Sequence, residues 1–328
     1  MKTILKLFLF IMAVVASGLA ISNELEKADT LYNQKNYKEA LAIYLKPQYR
    51  NIPLTQVYIG YIYLQPGFKD EKKSTEWFQK AADQGNAKGM HNLAMAYQSG
   101  VGVQKDYTKA FNLFKQASDK GLASSMNAIG IMYKNGWGVK TDEKAAANWY
   151  MKAAAAGSAD GVCNVAGIMM YSKIVETDYK QAHELLDACL KSSPNNDCCL
   201  DRMAELYGGG YGVPTDYKKA HQLREKSAAN GSVMAMYNLG RDFDYGIGAD
   251  KDPKAAMSWY QKAAAKGNAK AMYRLYEVFE HGKLGQAVDK TKAAEWKARA
   301  ERAMKEQGLS RNEWVDDFRL KMEEADKD

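Results

Sequence analysis

The sequence has few of the residues, and none of the short motifs, on which common catalytic and metal sites depend. It contains 4 histidines and 4 cysteines in 328 residues. It has no His-Glu-x-x-His zinc motif, no Gly-x-x-x-x-Gly-Lys-Ser/Thr phosphate loop and no Gly-x-Ser-x-Gly nucleophile motif. No serine has a lysine three residues later, so the serine motif of penicillin-interacting enzymes is absent too. We therefore predict no catalytic residue, no metal ligand and no cofactor.

Long apolar stretches and clustered charge are also missing from most of the chain. After residue 20, no segment is apolar over the roughly 20 residues that a membrane-spanning helix needs. The formal net charge of +7 is mild, and basic and acidic residues alternate along the sequence. A nucleic-acid-binding protein usually gathers its basic residues on one face. We therefore expect neither a membrane-spanning segment nor a nucleic-acid partner.

The start of the chain differs from the rest. Lys2 and Lys6 provide a short basic segment, residues 7–15 are apolar and uncharged, and small residues lead up to Ala20. This order predicts a secretory signal peptide over residues 1–20, cleaved after Ala20, and export to the periplasm. A membrane anchor is the alternative, but the apolar run is too short for one. No cysteine stands at the cleavage point, which argues against a lipid-anchored protein.

The sequence does contain a clear internal repeat. Gly85, Gly121 and Gly157 lie 36 residues apart, and so do Gly231 and Gly267. Between these glycines, apolar residues recur three and four positions apart, as they do on one face of a helix. Proline is scarce, with 6 residues, and stretches rich in Ala, Lys and Met favour helix. A period in the thirties is typical of stacked helix pairs. The sequence therefore predicts an all-α fold, a right-handed α-solenoid of stacked helix-turn-helix repeats.

The repeats divide the chain after residue 20 into three parts. Residues 21–52 form a helical pair that resembles a tetratricopeptide repeat, with apolar residues at helical spacing on both sides of a short turn. Residues 53–303 are predicted to hold seven repeats. Their boundaries are 53–86, 87–122, 123–158, 159–196, 197–232, 233–268 and 269–303. Residues 304–328 are predicted to form a terminal capping helix, in which Trp314, Phe318 and Met322 cover the last repeat.

The repeat resembles a known family. Its consensus, A-x-x-M-x-N-L-G-x-x-Y-x-x-G-x-G-V-x-x-D-x-x-K-A-x-x-W-Y-x-K-A-A-x-x-G, is similar to the Sel1-like repeat, a relative of the tetratricopeptide repeat, over residues 53–303. Members of this family act as scaffolds and adaptors. The secreted bacterial members are linked to envelope complexes, exopolysaccharide control, host contact and immunity against toxic effectors. The resemblance thus implies a protein that binds other proteins.

From this resemblance we expect a monomeric periplasmic adaptor or scaffold without catalytic activity. Its protein partner, an effector toxin or an envelope component, would bind the concave face formed by the first helices of the repeats. A sharper alternative is an immunity protein that neutralises a toxic effector delivered to the periplasm, such as a lipase. The rival class is an enzyme that hydrolyses cell wall or β-lactams. A β-lactamase activity has been attributed to relatives, but the sequence offers no residue set for it.

Four cysteines, Cys163, Cys189, Cys198 and Cys199, lie close together in the sequence. In an exported protein they predict two disulfides, for which three pairings exist. Adjacent cysteines do not easily bond each other, so Cys198 and Cys199 are expected to have different partners. Cysteine-rich members of the family place a bridge at the junction of Cys189 and Cys198, which leaves Cys163 to pair with Cys199. A metal site is the weaker alternative, because no histidine lies near enough in sequence to complete an obvious ligand set.

Aromatic residues provide the candidate contacts for a partner. Tyrosine is abundant, with 21 residues, and most tyrosines fall on the apolar face of a repeat. Tyrosine and tryptophan are favoured at binding hot spots. The aromatic residues outside the apolar pattern are therefore our candidate exposed contacts: Trp137, Tyr171, Tyr211, Tyr237 and Tyr245.

Two further groups of polar residues invite a catalytic interpretation but have simpler explanations. His183 and His221 occupy matching places in consecutive repeats, where we expect them to be partly buried packing residues. A run of aspartates offers carboxylates for an acid–base pair or a cation site. We expect these residues instead to cap helices or to lie at solvated helix ends. They are Asp242, Asp244, Asp250 and Asp252.

Overall fold

The structure is a computed structural model that describes residues 23–171 and 177–307, and these ranges contain helices and no strands. The helices are α1 (23–33), α2 (Tyr37–Tyr44), α3 (Pro53–Ile62), α4 (Glu71–Asp83), α5 (Ala87–Ser99), α6 (Tyr107–Asp119), α7 (Ala123–Asn135), α8 (Glu143–Ala155), α9 (Ala159–Tyr171), α10 (Tyr179–Ser192), α11 (Asp197–Gly209), α12 (Tyr217–Ala229), α13 (Val233–Tyr245), α14 (Pro253–Ala265), α15 (Ala269–His281) and α16 (Lys290–Gln307). From α3 onward they alternate between the first and the second helix of a pair. The predicted all-α solenoid of helix-turn-helix repeats is confirmed.

The chain divides into two compact units after Ser158. The N-terminal unit contains α1–α8, and the C-terminal unit contains α9–α16. Within each unit, from α3 onward, every first helix packs against the second helix of its own pair, and every second helix packs against the next first helix. Each pair therefore covers an apolar face of its neighbour, as stacked repeats do. Among the described helices, none combines the length and the hydropathy required to traverse a bilayer.

The first helices have definite starts and stops. Asn86 precedes α5, and its side-chain oxygen accepts a hydrogen bond from the backbone N–H of Gly89 at 2.9 Å. The helix ends at Gly100, whose φ of 79° suits glycine because residues with a Cβ are disfavoured there. A side-chain cap at the start and a left-handed glycine at the end also bound α11, α13 and α15. These local signals fix the lengths of these four helices.

The second helices begin at aspartate. The carboxylate of each N-cap aspartate before α4, α6, α8, α10, α12 and α14 accepts a backbone N–H from the first turn. Such a cap satisfies a free N–H group and places a negative charge at the positive end of the helix dipole. The positions predicted from the sequence, Asp106, Asp178, Asp216 and Asp252, are confirmed as N-caps.

Glycine brings the two helices of a pair close together. A Cβ atom on Gly240 of α13 would lie 2.5 Å from a ring carbon of Tyr260 on α14. A Cβ atom on Gly130 of α7 would come equally close to the ring of Tyr150 on α8. Both tyrosines are buried. The small residue that the sequence pattern places here therefore makes room for a large aromatic ring on the partner helix.

Successive repeats meet where the loop of one repeat touches the second helix of the repeat before. Gly248 has a φ of 74°, and a Cβ atom there would lie 2.1 Å from the carbonyl oxygen of Tyr217. Gly102 approaches the carbonyl oxygen of Glu71 in the same way. The second glycine of the Gly-x-Gly loop is thus required by contact with the backbone of the preceding repeat.

The last described helix extends past the predicted end of the repeats. α16 runs over 18 residues to Gln307, so the predicted boundary after residue 303 falls inside a continuous helix. The capping contacts predicted for Trp314, Phe318 and Met322 lie outside the described residues. The predicted signal peptide over residues 1–20 lies outside them as well.

Candidate partner-binding site

A groove of ≈ 260 Å³ lies between the first helices of the N-terminal unit. We call it the first-helix groove. It is lined by Leu54, Val57, Tyr58 and Tyr61 of α3, by Lys88, His91 and Asn92 of α5, and by Leu122 and Ser124 at the start of α7.

The helical period explains why these side chains form one surface. In α5, Met90 and Leu93 pack into the apolar core. Lys88 and Asn92 lie two positions before and after Met90, and His91 lies one position after it. Because each residue turns the helix by about 100°, all three side chains point away from the side that Met90 and Leu93 occupy. Lys88, His91 and Asn92 therefore face the groove. The same register brings the lining residues of α3 to the same side.

The apolar part of the groove is anchored and partly open to solvent. Tyr58 stacks on Tyr44, with ring centroids 5.6 Å apart and an interplanar angle of 5°. Val57 is buried beneath, whereas the side chain of Leu54 is 41% exposed at the edge. An exposed apolar side chain beside fixed aromatic rings is the kind of surface that a partner side chain covers.

The polar part of the groove carries little charge. Asn92 Nδ2 donates a hydrogen bond to the hydroxyl of Tyr61 at 2.8 Å. His91 Nδ1 lies 2.8 Å from Ser125 Oγ. Burial lowers the pKa of His91 to about 4, so its imidazole is neutral at pH 7. Lys88, which is exposed, is the one charged residue among those that line the groove. The arrangement offers recognition groups rather than a pair of groups for acid–base chemistry.

The structure contains two disulfides, both in the C-terminal unit. Cys163 is bonded to Cys198 and Cys189 to Cys199, with Cα–Cα distances of 6.0 and 6.6 Å. All four cysteines are therefore bridged, and Cys198 and Cys199 have different partners, as expected. The pairing of Cys189 with Cys198 and of Cys163 with Cys199 was the wrong expectation.

The first turn of α11 explains the pairing. Neighbouring residues on a helix point about 100° apart. Cys199 is fully buried and meets Cys189 of α10, which is also buried. Cys198 is only half-buried and meets Cys163 of α9. The sequence shows that the two cysteines diverge, but it does not show which of them faces which helix.

The predicted aromatic contacts do not form one site. Tyr171 and Tyr211 are exposed, at 47% and 41%. Trp137 is half-buried and stacks on Tyr107, with ring centroids 5.6 Å apart. Tyr237 is buried, so the expectation that it is exposed is wrong.

Tyr237 is buried because its position in α13 turns its ring towards Tyr260 of α14, 5.9 Å away. Tyr245 is half-buried, and the guanidinium of Arg274 lies 5.6 Å from its ring. Sequence reasoning missed the aromatic residues of the first-helix groove, Tyr58 and Tyr61. What identifies these two tyrosines in the sequence is their position on the face of the first helix opposite to the repeated apolar stripe. The criterion that we used, aromatic residues outside the repeat pattern, does not find that face.

The aspartate run of α13 is partly buried, contrary to expectation. Asp242 is 1% exposed and contacts His221 Nδ1 at 2.9 Å and Arg224 Nη1 at 2.6 Å. Asp244 accepts hydrogen bonds from the hydroxyl of Tyr260 at 3.0 Å and from Arg274 Nη2 at 2.8 Å. The expectation of solvated helix ends is therefore wrong for both aspartates, because basic side chains from adjacent helices reach them.

The two remaining aspartates and the two histidines behave as expected from the sequence. Asp252 caps α14, and Asp250 is exposed. His221 is buried and His183 is half-buried against Tyr207, so both are packing residues. Over the described ranges 23–171 and 177–307, no group of three or more His, Cys, Asp or Glu side chains is arranged to hold a metal ion.

These features define a class of protein: an α-solenoid of helix-turn-helix repeats, with a groove between the first helices of its N-terminal unit. The Sel1 repeat model matches residues 53–86, 87–122, 123–158, 199–232, 233–268 and 269–301. The chain belongs to the Sel1 repeat family, whose repeats mediate protein–protein interactions. The match leaves out α9 and α10, so the division into seven repeats stays a prediction.

Several solved structures are similar to this chain. A Sel1 repeat protein from Oxalobacter formigenes is 28% identical, with a TM-score of 0.56, over 85% of this chain and 99% of that protein. The protective antigen c5321 of uropathogenic Escherichia coli is 26% identical over 80% of this chain and 64% of its own, with a TM-score of 0.43. The immunity protein PA5088 of Pseudomonas aeruginosa is 18% identical over 70% of this chain and 86% of its own, with a TM-score of 0.50. No curated protein matches the sequence.

Proposed function

We propose that this protein is an exported, non-catalytic adaptor that binds an extended segment of a protein partner in its first-helix groove. The observation that carries the proposal is the groove itself, with its partly exposed apolar edge, its neutral hydrogen-bonding groups and its one lysine. A groove of this composition suits a peptide better than a small charged metabolite.

Each part of the groove matches one part of a peptide. Leu54 and Tyr58 offer apolar surface to a large side chain of the partner. Asn92 and the neutral His91 offer donors and acceptors to the peptide backbone, which carries both kinds of group. Lys88 favours a carboxylate of the partner at the edge of the groove.

The proposed compartment is the periplasm. Two disulfides indicate an oxidising compartment outside the cytoplasm. The basic and then apolar order of residues 1–20 is the reason to propose a cleaved signal peptide. Periplasmic retention is part of the proposal and is tested with the partner.

The test starts with capture of partners by residues 21–328 from a periplasmic extract, followed by calorimetry with the purified partner. Leu54→Asp places a charge on the apolar edge of the groove, and we expect the Kd to rise at least tenfold. Leu64→Asp is the matched control, because Leu64 is 38% exposed in the same unit but does not line the groove. Equal effects of the two substitutions would contradict the proposal.

The identity of the captured protein decides between the two forms of the hypothesis. A set of envelope components supports the general adaptor. A single stoichiometric toxin supports the immunity protein, which stays a hypothesis because the likeness to PA5088 shows the fold alone. Recovery of the protein as a monomer without any partner, together with a hydrolytic activity, would favour the rival enzyme class.

A further inference from the structure

Charge is distributed unevenly between the two helix layers of the C-terminal unit. The second helices α12, α14 and α16 carry many exposed cations and few exposed carboxylates, and α14 contains no acidic residue at all. The exposed cations are Lys218, Lys219, Lys226, Lys254, Lys262, Lys290, Lys292, Lys297, Arg299, Arg302 and Lys305, and the exposed carboxylates are Glu225, Glu295, Glu301 and Glu306. We call this surface the basic second-helix layer.

The first helix α11 of the same unit has the opposite balance. Within α11, Asp197, Asp201 and Glu205 stand against a single cation, Arg202. The alternating charges of the sequence therefore separate in the fold, because alternate helices lie in different layers. Two arginines, Arg224 and Arg274, are engaged by buried aspartates. The exposed lysines of the basic second-helix layer remain at the surface.

Tryptophan residues lie within the basic layer at a repeated position. Trp259 of α14 and Trp296 of α16 are both half-buried. Lys262 Nζ lies 4.0 Å from the ring centroid of Trp259, and the guanidinium of Arg299 lies 4.1 Å from that of Trp296. Each indole is thus held at the surface with a cation three residues later in the same helix.

A groove of ≈ 480 Å³ opens between α14 and α16 at this position. We call it the second-helix groove. Lys292, Glu295, Trp296 and Arg299 line one side, and Met257 and Gln261 line the other. Lys292 also pairs with Asp289 at 3.2 Å. The groove therefore combines two exposed cations with one carboxylate, an amide donor and an aromatic ring, and the cations, the amide and the indole are groups that bind a phosphate ester at an interface.

We propose that the basic second-helix layer is a docking surface for an anionic phospholipid bilayer, with the second-helix groove receiving a phosphate headgroup. Lysine and arginine side chains are attracted to the negative surface potential of such a bilayer. Tryptophan favours the interface between headgroups and acyl chains. The disulfides indicate a compartment outside the cytoplasm, where a bilayer, rather than nucleic acid, is the extended anionic surface.

This binding is peripheral and independent of the partner in the first-helix groove. The first-helix groove belongs to the N-terminal unit and the second-helix groove to the C-terminal unit. An adaptor with both surfaces would hold its protein partner at a membrane. If the protein fails to bind membranes, the proposal that the first-helix groove binds a protein partner is not affected, so the two proposals are tested separately.

The test uses residues 21–328, the form expected from the proposed cleavage after Ala20, in flotation assays with lipid vesicles. One set of vesicles contains phosphatidylglycerol and phosphatidylcholine, and the other contains phosphatidylcholine alone. We expect the protein to float only with the phosphatidylglycerol vesicles. Binding is expected to weaken as salt is raised to roughly 0.5 M, because ions screen exposed charges.

Charge reversal in the groove supplies the specific test. We expect Lys292→Glu with Arg299→Glu, the two cations that line the groove, to lower the vesicle partition coefficient at least tenfold. The matched control is Lys27→Glu with Lys134→Glu, which makes the same change in net charge at exposed positions of α1 and α7 in the N-terminal unit, outside both grooves. We expect the control to stay within about twofold of the unaltered protein. Circular dichroism and urea unfolding verify that both variants remain folded.

Four outcomes would overturn the proposal. One is equal flotation with the two kinds of vesicle. Another is an equal loss of binding in the groove variant and in the control. The third is retention on heparin without vesicle binding, which would assign the surface to an acidic polysaccharide instead. The fourth is binding of inorganic phosphate without any vesicle binding, which would reduce the surface to a phosphate site.

Discussion

At the scale of single residues, His91 shows how burial sets the chemistry of the first-helix groove. Its ring packs against Phe114, with centroids 5.3 Å apart, and its Nδ1 contacts Ser125. The lowered pKa comes from loss of solvent around the imidazole. A neutral ring contributes hydrogen bonds to the groove without adding a second positive charge beside Lys88.

The pKa of His91 predicts how stability depends on pH. In the unfolded chain the imidazole has a pKa near 6.5, whereas in the folded protein it is about 4. Below pH 6.5 the unfolded chain therefore binds a proton that the folded chain does not. The stabilisation that comes from keeping the His91 ring buried and neutral is therefore fully present above pH 6.5. It is lost as the pH falls towards 4, by at most about 1.4 kcal/mol per pH unit.

His91→Gln is expected to reduce the loss of stability between pH 7.5 and pH 4.5, measured by urea unfolding. The substitution removes the titrating ring but keeps a polar side chain. His281→Gln is the control, because His281 is exposed at the end of α15. If His91→Gln shows the same pH dependence as the unaltered protein, burial of the His91 ring is not what destabilises the acidic state.

At the scale of helices, the pairs are held together by a small residue opposite a large ring. Gly240 faces Tyr260, which is fully buried and whose hydroxyl donates to Asp244. The ring is thus fixed at both its face and its hydroxyl. It has little freedom to move away from an added methyl group.

Gly240→Ala is expected to destabilise the protein by about 1–3 kcal/mol, the usual cost of overpacking. The matched control is Gly167→Ala in α9, where the added Cβ atom would meet only the flexible end of Arg202, at 3.1 Å. There, the helix preference of alanine should leave stability unchanged or raise it by up to about 1 kcal/mol. Urea unfolding of both variants measures the difference, and a neutral Gly240→Ala would show that the helices can separate at no cost.

Local signals explain why much of the helix pattern is predictable from the sequence. The N-cap aspartates and the terminal glycines act within one helical turn, so Asp106 and Gly100 can be assigned without knowledge of the fold. The direction in which one side chain points is not local. The burial of Tyr237 and the disulfide partners of Cys198 and Cys199 depend on the rotation of a helix against its neighbours. One residue changes that direction by about 100°.

At the scale of the whole molecule, the disulfides lie in the least regular stretch of the repeats. Cys163 and Cys189 belong to α9 and α10, which the Sel1 repeat model leaves unmatched, and Cys198 falls in the same stretch. The bridges join both of these helices to α11. Covalent links thus occur where the sequence departs from the family pattern.

The two disulfides are expected to differ in their contribution to stability. The bridge of Cys163 with Cys198 spans 35 residues and that of Cys189 with Cys199 spans 10. A cross-link that closes a longer loop removes more entropy from the unfolded chain, here by about 1 kcal/mol more. Urea unfolding is therefore expected to show a larger loss for Cys163→Ala with Cys198→Ala than for Cys189→Ala with Cys199→Ala. The reverse order would mean that local packing outweighs chain entropy.

The contact between the Gly-x-Gly loop and the preceding repeat has a consequence for the history of the protein. Gly248 meets the main-chain oxygen of Tyr217, and Gly102 meets that of Glu71, so the nearest atoms on the facing residue belong to the backbone in both cases. At this point of contact, the type of the facing residue is therefore almost free to vary. A gene segment that encodes one whole repeat can be duplicated next to another and still give a chain whose copies fit together here. The length of such a protein can grow or shrink in whole repeats by recombination.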